Sequence, residues 1–363
     1  MIKTPARCIY SEYCALYSSI LEKYSLAITR EPSISILMPV RNAEPFLSEC
    51  VDSILNQKHK SWELIAVEDH SVDNSYSVLK DYEAKDNRIR VIKNSGKGII
   101  AALRTAFKIS TGSFITRMDA DDIMAENKLS HMSAQLNGAG PGHIALGLVA
   151  YFSETSLGEG YKRYANWLNQ LTVRGDNFSE VYKECVIPSP CWMLYKEDLS
   201  SCGAFNSERY PEDYELCFRM YGSGLKCLPS NKVLHNWRDH PSRTSRTDEH
   251  YSDNRFLDLK FHYFDRLEYD DRREYVIWGS GNKGKVAARH FIENQHNFHW
   301  VTDNQKKIGH RIYDVLIESP GLIKDLSSPK VLLFVANPIE QDKIIQKLNN
   351  LGMRVGNEIF LFC

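Results

Sequence analysis

The chain has 363 residues, of which 45 are basic and 46 are acidic, so its formal net charge at pH 7 is -1. Hydrophobic residues make up 43% of the chain and charged residues 25%, a composition typical of an ordinary globular protein. This balance excludes the strongly basic class of nucleic-acid-binding domains, and the length predicts two domains, or one large domain with an appendage.

The N-terminal segment, residues 1–33, has Tyr13, Leu16, Ile20 and Tyr24 at helical spacing, which predicts an amphipathic helix. Because its polar face is not basic, packing against the following domain is favoured over binding to a membrane surface. The segment lacks the unbroken apolar core of a signal peptide, and no apolar run approaches the ~18 residues of a membrane-spanning helix.

The nine cysteines are scattered along the chain, odd in number and without a Cys-x-x-Cys pair, as expected for reduced thiols. We therefore expect a cytoplasmic protein without a membrane span. Peripheral attachment to the inner face of a membrane stays open.

Apolar runs alternate with segments of helical periodicity from residue 34 to residue 122. The predicted strands, some running into polar turn residues, are SISILMPV, WELIAVEDHSVDNS, IRVIKNSGKG and GSFITRMDADD. The predicted helices between them are RNAEPFLSECVDSILNQ, SYSVLKDYEAK and IIAALRTAFKIST. This alternation predicts a parallel sheet with helices on both faces.

Polar or charged residues end each of these four predicted strands. They are Arg41-Asn42, Glu68-Asp69, Lys93-Asn94 and Asp119–Asp122. Ligands of such sheets bind beyond the carboxyl ends of the strands, so the four polar ends predict a site there.

Residues 123–250 are less regular, and residues 251–272 resemble a charged amphipathic helix and linker. A strand–helix–strand pattern restarts at residue 274, which places a domain boundary near 272.

The stretch MDADD carries Asp119 and Asp121 two positions apart, and in an extended segment such side chains point the same way. Asp122 would then be opposed to them or already part of the following turn. Two neighbouring carboxylates repel each other unless a cation lies between them. Mg²⁺ and Mn²⁺ prefer hard oxygen ligands, and Mg²⁺ completes its shell with water and phosphate oxygens. The pattern predicts a metal-bound diphosphate, and its alternative is a solvated acidic turn.

Residues 34–130 resemble the nucleotide-sugar-binding half of inverting family 2 glycosyltransferases with the GT-A fold. The resemblance lies in the run ISILMPVRNAEPFLSECVDSILNQ…WELIAVEDHSVDNS…GKGIIAALRTAF…GSFITRMDADD. Farther on, YPEDYELCFRM resembles the acceptor-side ED motif of that family, and NWRDHPSRTS its late motif of an aromatic residue, Arg, His and Ser. The layout with RYANWLNQL in mid-chain and IWGSGNKGK near the end is similar to proteins called β-1,3-N-acetylglucosaminyltransferase-like.

The resemblance implies an α/β chain with four parts. They are an N-terminal amphipathic extension (1–33), a GT-A glycosyltransferase domain (34–250), a helical linker (251–272) and a small Rossmann-like α/β domain (273–363).

For the donor, the resemblance implies that Pro39, Arg41 and Asp69 line a uracil pocket, in which Asp69 accepts a hydrogen bond from the ring NH. The remaining donor-binding candidates are Lys97, Asp119 and Asp122. The family motif at the second strand is two aspartates followed by Gly-Ser. This chain has Glu68-Asp69-His70-Ser71, so His70 stands where a glycine is usual, which leaves the local backbone geometry open.

For the metal, Mn²⁺ or Mg²⁺, the resemblance implies Asp119 and Asp121 as ligands. His240 is a further candidate, because neutral imidazole is a good Mn²⁺ ligand. The alternative for His240 is a loop histidine that holds the C-terminal lid in place.

For catalysis, Asp213 is the candidate general base, with Glu212 as a residue that positions the acceptor. Inverting transfer needs a group that takes the proton of the acceptor hydroxyl as this attacks the anomeric carbon opposite the departing UDP. The structural alternative is that acidic residues after Pro211 suit the first turn of a helix and its dipole, and both roles are compatible.

Five further residues have open roles. Arg243 and Arg246 are candidates to contact the diphosphate or the acceptor, or are solvated basic residues. Trp167, Trp192 and Trp237 are candidates to stack on sugar rings, although core packing is expected for any one of them.

Near the C-terminus, Gly279, Gly281 and Gly284 have the GxGxxG spacing between a predicted strand and a predicted helix, and Asp303 follows the next strand. The segment has only about ninety residues, half of a full dinucleotide fold. Glycines in such a turn also allow close packing of strand and helix. We favour a module for oligomerisation or acceptor handling over nucleotide binding.

The expected function is metal-dependent, inverting transfer of a sugar, with GlcNAc as a candidate, from a UDP-sugar to a hydroxyl of a glycan or glycoconjugate. One alternative is an NAD(P)-linked oxidoreductase that uses the GxGxxG segment, but residues 285–363 show no catalytic Tyr/Lys or His constellation. Another is a non-catalytic sugar-nucleotide-binding protein, which retention of Asp119, Asp121 and Asp213 disfavours. A nucleotidyltransferase would have a glycine-rich loop where this chain has PVRNAEP. We expect no nucleic-acid partner, and a homo-oligomer stays open.

Overall fold

The structure is a computed structural model that describes residues 33–153, 157–241, 243 and 256–363. The predicted N-terminal helix, Arg246 and the first residues of the predicted linker lie outside the described residues. Among the helices that are described, none combines the length and the apolar character needed to cross a membrane.

The first part of the chain forms a mixed α/β unit. Its strands are β1 (Ile34–Val40), β2 (Trp62–Glu68), β3 (Ile89–Lys93), β4 (Phe114–Arg117), β5 (Ile123–Met124), β6 (His143–Leu146), β7 (Leu148–Phe152), β8 (Trp192–Tyr195), β9 (Lys226–Leu228) and β10 (Val233–Arg238). Its α-helices are α1 (Glu44–Leu55), α2 (Ser75–Lys85), α3 (Ile99–Ile109), α4 (Lys128–Ala139), α5 (Glu159–Arg174), α6 (Lys196–Ser201) and α7 (Glu212–Gly222).

Seven strands form the main sheet in the order β3-β2-β1-β4-β8-β6-β9. Strands β1 to β4 are parallel, as the alternating pattern predicts, whereas β8 runs antiparallel to both β4 and β6. A smaller sheet has the order β5-β10-β7 and carries the segment NWR at the end of β10.

The central strand β1 is buried on both sides, which explains its nearly continuous apolar sequence. Alternate residues such as Ile36 and Met38 pack in the same hydrophobic cluster as Leu47 of α1. Leu37 points to the other face and belongs to the cluster that contains Leu103 of α3. The helices therefore cover both faces and leave the carboxyl edge of the sheet for a site.

The C-terminal part begins with a connecting helix, α8 (Phe256–Leu267), which leads into a second sheet. The elements that follow are β11 (Glu274–Trp278), α9 (Asn282–Glu293), β12 (Phe298–Val301), β13 (Arg311–Ile312), β14 (Val315–Glu318), β15 (Pro329–Leu333), α10 (Pro338–Asn349) and β16 (Ile359–Leu361).

The second sheet has the order β13-β14-β12-β11-β15-β16, and all neighbours except β13 and β14 are parallel. Numbered by their position in the chain, the five parallel strands follow the order 3-2-1-4-5. This is the order of the first five strands of a doubly wound dinucleotide-binding sheet.

The two sheets share one hydrophobic cluster. Tyr182 of the first unit stacks on Phe362 with ring centroids 5.4 Å apart, and it meets Phe264 of α8 edge to face at 5.7 Å. The apolar core thus continues across the boundary that the sequence places near residue 272.

Candidate active site

A cleft of about 1240 Å³ lies at the carboxyl edge of the main sheet. Its walls include Pro39 and Arg41 at the end of β1, Asp69 after β2, and Asp119 and Asp121 after β4. Three of the four polar strand ends that the sequence singles out therefore line one cleft, and the fourth contributes Asn94, which contacts Asp69.

The wall after β2 is built around Asp69, whose carboxylate is 3% exposed. Asn94 Nδ2 donates to Asp69 Oδ1 at 2.7 Å, and Gly98 N donates to Oδ2 at 2.9 Å. These bonds connect the ends of β2 and β3 to the start of α3. Lys97, the residue before Gly98, is exposed and does not line the cleft, so the structure does not bring this candidate into the site.

His70 has a φ of 56°, in the left-handed region that glycine favours. Its imidazole Nε2 lies 2.8 Å from the carbonyl oxygen of Gly96. The chain therefore keeps the backbone conformation expected of a glycine at this position, and the side chain contacts the loop before α3.

The aspartate cluster lies in a turn rather than in a strand. Strand β4 ends at Arg117, and the backbone N–H of Asp122 donates to the carbonyl of Asp119 at 3.3 Å. The prediction of an extended segment through the cluster is wrong at this point, because the chain turns directly after Met118. Asp119 and Asp121 nevertheless both face the cleft, and Asp122 points away from it.

Arg117 connects the aspartate cluster to the ED segment. Its Nε donates to Asp119 Oδ1 and its Nη1 to Glu212 Oε1, each at 2.9 Å, and its side chain is 6% exposed. Burial disfavours the charge of Arg117, but the carboxylates of Asp119, Glu212 and Asp213 outweigh this and raise the pKa of the guanidinium. Burial also raises the pKa of Glu212 to about 7, against the opposing effect of Arg117.

Asp121 pairs with His240, whose Nε2 lies 2.9 Å from Asp121 Oδ2. Burial alone would raise the pKa of Asp121, but the hydrogen bond from His240 and the charge of Arg243 together lower it. The two candidate metal ligands from distant parts of the chain thus converge on one point. Phe46 packs against the His240 ring with centroids 4.5 Å apart.

Asp122 is 1% exposed and lies beneath the cleft. Its Oδ2 is 2.9 Å from His235 Nε2, and its Oδ1 accepts from the backbone N–H of Arg238 at 2.8 Å. His235 Nδ1 in turn lies 3.4 Å from Lys128 Nζ. Burial, and then the charges of Asp121 and its neighbours, raise the pKa of Asp122. Asp122, a predicted donor-binding residue, therefore does not line the cleft. It contacts His235 and Arg238 of β10 instead.

Asp213 lines the cleft at the N-terminus of α7. Its Oδ1 accepts from the backbone N–H of Tyr214 at 2.7 Å, so the side chain also serves the first turn of the helix. Burial raises the pKa of Asp213, although Arg117 and the Tyr214 N–H oppose the shift. A half-buried carboxylate with a raised pKa is a stronger base than a solvated aspartate.

An aromatic wall closes another side of the cleft. It contains Tyr151, Tyr164 and Trp237, and the Trp237 ring lies 5.0 Å from Tyr151 and 6.2 Å from Tyr164. The Arg243 guanidinium lies 5.3 Å from the Tyr151 ring, within the same wall.

The other two tryptophan candidates do not line this cleft. Trp192 is buried in β8, and Trp167 donates from Nε1 to Glu180 Oε2 at 2.7 Å.

In the GxGxxG segment, close packing accounts for the third glycine. A Cβ on Gly284 would lie 1.9 Å from the carbonyl oxygen of Gly279, so α9 approaches β11 as closely as backbones allow. Asp303, the candidate ribose ligand, accepts from Trp278 Nε1 at 2.9 Å and from Lys347 Nζ at 3.2 Å, so protein groups contact both of its carboxylate oxygens.

Sequence reasoning missed Arg117, Lys128 and His235, which support the site from beneath. For Arg117 a signal was present, because a basic residue ends an otherwise apolar strand two positions before Asp119, on the same side of the chain. Lys128 and His235 gave no comparable signal, since they come together only when β10 pairs with β5.

Residues 35–203 match the family model described as Glycosyl transferase family 2. The chain is 36% identical to the uncharacterized glycosyltransferase EpsJ of Bacillus subtilis. That match spans 104 residues and covers 29% of this chain and 30% of that protein. It is also 41% identical to the Escherichia coli protein named UDP-Glc:alpha-D-GlcNAc-diphosphoundecaprenol beta-1,3-glucosyltransferase WfgD. That match spans 97 residues and covers 26% of this chain and 38% of that protein. The matched segments span about a third of the length of these curated relatives.

Among solved structures, the chain is similar to S. aureus TarS 1-349 in complex with UDP-GlcNAc, with a TM-score of 0.51 and 16% identity. The match covers 66% of this chain and 68% of that one. Together with the sheet topology, this confirms the predicted fold class, a mixed α/β chain of the GT-A type. Asp213 and His240 lie beyond the residues that the family model matches.

Proposed function

We propose that the chain, of which residues 35–203 match the model of family 2 glycosyltransferases, transfers a sugar from a UDP-sugar to a hydroxyl of a glycan or glycoconjugate, with inversion and with the help of a divalent metal. The observation that carries the proposal is that Asp119 and Asp121 line the same cleft as Asp213. Asp119 and Asp121 are suited to a metal-bound diphosphate, and Asp213 is suited to removing a proton from the acceptor.

The donor base would bind between Pro39, Arg41 and Asp69. The Asp69 carboxylate accepts from Asn94 and Gly98, and a carboxylate offers about four lone-pair sites, so it can accept one further hydrogen bond from a base ring NH. The E. coli relative carries UDP-Glc in its name, and the TarS complex contains UDP-GlcNAc, which makes these two the first donors to test.

Two donor groups for a Mn²⁺ or Mg²⁺ ion already lie together, since the Asp121 carboxylate and the His240 imidazole are 2.9 Å apart. Asp119 lines the same cleft, where its Oδ1 bonds to Arg117, and it would complete the set by a movement of its side chain. Oxygen ligands suit both ions, and an imidazole favours Mn²⁺. When bound, the metal would neutralise charge that develops on the departing diphosphate.

Asp213 is the residue that we propose to take the acceptor proton. The hydroxyl oxygen attacks the anomeric carbon while the bond from that carbon to the UDP oxygen breaks on the opposite face, and the hydroxyl proton passes to the Asp213 carboxylate. General base catalysis of this kind contributes about 10²–10⁴ in rate. Glu212 is not proposed as the base, because its carboxylate pairs with Arg117. We assign it the role of holding Arg117 against Asp119.

The acceptor would lie against Tyr151, Tyr164 and Trp237. Aromatic faces stack on the apolar faces of sugar rings, and these three rings are preorganised by their mutual contacts. The name of the E. coli relative gives a diphosphoundecaprenol-linked GlcNAc as its acceptor, so lipid-linked sugars are the first acceptor class to screen.

The test combines calorimetric titration with UDP and a turnover assay. For the wild-type chain we expect UDP binding that requires Mn²⁺. Asp121→Asn should lose this requirement together with most of the affinity, because one anionic ligand is removed. Asp213→Asn should keep metal-dependent UDP binding and lose turnover. UDP binding that is unaffected by Mn²⁺ would contradict the metal site, and full turnover of Asp213→Asn would rule out this base.

For the C-terminal unit we propose a supporting role instead of nucleotide binding. Close backbone packing explains Gly284, and Trp278 and Lys347 contact both oxygens of Asp303. Titration with NAD⁺ tests this, because binding of NAD⁺ without binding of UDP would move the search for function to this unit.

A further inference from the structure

Three potential metal ligands meet between the connecting helix and the second sheet. Asp265 lies on α8, His290 on α9, and His296 in the loop before β12. Their ligand atoms all lie within 4.8 Å of one another. None of the three lines the cleft described above, so the cluster is separate from the proposed glycosyltransferase site.

Two buried polar atoms of the cluster face each other without a hydrogen bond between them. His290 Nε2 lies 2.9 Å from Asp265 Oδ2, and His296 Nε2 lies 3.5 Å from Asp265 Oδ1. Within the described part of the chain, Asp265 Oδ1 and His296 Nε2 are buried and have no hydrogen-bond partner. Buried polar atoms without a partner are rare in proteins and point to an ion or water that would satisfy them.

Aromatic rings hold both imidazoles in place. Phe261 stacks on His290 with centroids 4.3 Å apart and planes at 10°, and Tyr269 stacks on His296 at 3.7 Å and 24°. Phe291 meets His296 edge to face at 5.4 Å. The rings are thus oriented before any ligand binds, which lowers the entropic cost of binding.

We propose that Asp265, His290 and His296 bind a divalent transition metal, with Zn²⁺ as the expected ion. One carboxylate and two imidazoles form a typical donor set for zinc, with bonds of about 2.0–2.1 Å. A tetrahedron with such bonds separates its ligand atoms by roughly 3.3 Å, so the three ligand atoms, which lie within 4.8 Å of one another, would move closer together when the ion binds. The fourth position is filled by water.

Binding requires an unprotonated Nε2 on His290. The proton of the neutral ring then lies on Nδ1, which is 3.4 Å from the side-chain amide of Asn294. Asn294 is exposed, and its Nδ2 donates to the carbonyl oxygen of His290 at 2.9 Å, so the Nδ1 proton of His290 is left to solvent.

The metal would link α8, which carries Asp265, to the second sheet and its helix α9, through His296 and His290. On the other side of α8, the Tyr263 hydroxyl donates to Glu215 Oε1 of α7, the helix that begins with the ED segment. We therefore expect the metal to stabilise the chain without entering the transfer chemistry.

The test uses the full chain in an Asp121→Asn background, which weakens the cleft as a competing metal site. Metal-stripped protein is incubated with Zn²⁺, desalted and analysed by mass spectrometry for bound zinc, and its melting temperature is compared with and without Zn²⁺. Co²⁺ provides a spectroscopic probe, because a four-coordinate Co²⁺ site absorbs visible light far more strongly than a six-coordinate one.

We expect one bound zinc per chain, a higher melting temperature with zinc, and a four-coordinate Co²⁺ spectrum. Adding His296→Gln should abolish all three. The matched control His299→Gln changes a histidine of β12 that contacts Glu318 instead, and should leave them intact. If His296→Gln does not fold, Asp265→Asn, which keeps the side-chain shape, takes its place. Absence of bound zinc in the background protein, or equal loss in the control, would show that the cluster is only a hydrogen-bonded Asp–His group.

Discussion

Asp122 offers the sharpest test of the structure against the sequence prediction, which counted this residue among those that bind the donor. In Asp122→Ala, the Arg238 N–H and the His235 ring lose their acceptor. Hydrogen bonds to charged groups contribute about 1.5–3 kcal/mol each, or about 3–6 kcal/mol for two. Removing a buried charge next to Asp119 and Asp121 offsets part of this loss, so we expect a net cost of roughly 2–4 kcal/mol.

The assay pairs Asp122→Ala with Asp121→Ala, a change of the same type at the next position. A cost of 2–4 kcal/mol corresponds to a fall in melting temperature of about 3–5 °C for Asp122→Ala, given the unfolding entropy of a chain of 363 residues. Its metal-dependent UDP affinity, measured well below that temperature, should change by less than about tenfold, or 1.4 kcal/mol.

Asp121→Ala should behave in the opposite way. Its side chain is 26% exposed and pairs only with His240 among the contacts described above, so the melting temperature should fall by no more than about 2 °C, while metal-dependent UDP binding is lost. If Asp122→Ala melts like the wild type and loses UDP binding, then Asp122 belongs to the donor site and our reasoning from its burial is refuted.

Three further predictions concern the support of the site, its pH dependence and the second sheet. Arg117→Met should destabilise the chain by about 3–5 kcal/mol, because it leaves buried carboxylates without their partner. Arg174→Met, which breaks an exposed ion pair with Asp176, should cost less than about 1 kcal/mol in the same thermal melt. Turnover should fall as the pH drops through the pKa of Asp213, because only the ionised carboxylate accepts a proton, and burial should place this fall above the ~3.9 of a solvated aspartate; a pH–rate profile without an acidic limb above that value would count against Asp213. Gly284→Ala should destabilise the chain by about 1–3 kcal/mol or more through overpacking, whereas Gly281→Ala, which has open space around the new Cβ, should be nearly neutral, and equal melting temperatures would contradict the close packing of α9 on β11.

The parallel part of the main sheet was predictable because its signals are local. Strand β1 is an apolar run buried on both faces, and α1 carries Leu47 and Val51 on a single face that packs beneath it. The helices and strands up to Arg117 therefore follow from periodicity alone. The short strands β5, β7 and β10 were not predicted, since each is defined by pairing with residues far away in the chain.

The same distinction separates the parts of the site. The positions of Asp69, Asp119 and Asp121 in the site were predictable, because each is a polar residue at the end of a predicted strand. The burial of Asp122 depends on Arg238, 116 positions later, whose backbone N–H reaches it only after β10 has paired with β5. The spacing of two positions groups Asp121 with Asp119 and separates Asp122 from them, but it assumes an extended chain, whereas in the structure the turn after Met118 gives this arrangement.

The continuity of the core bears on the role of the second sheet. Tyr182 stacks on Phe362, the penultimate residue, and Lys260 Nζ of α8 donates to the carbonyl of Lys183 at 2.8 Å. Residue 183 directly precedes Glu184, which lines the cleft, so α8 and Phe362 contact the segment that leads into one wall of the cleft. A boundary near residue 272 thus separates two sheets that share one hydrophobic cluster, although each sheet also has a cluster of its own. Since α8 contacts α7 through Tyr263 and the second sheet through Phe264 and Phe360, the helix that begins with Glu212 and Asp213 and the second sheet pack against the same connecting helix.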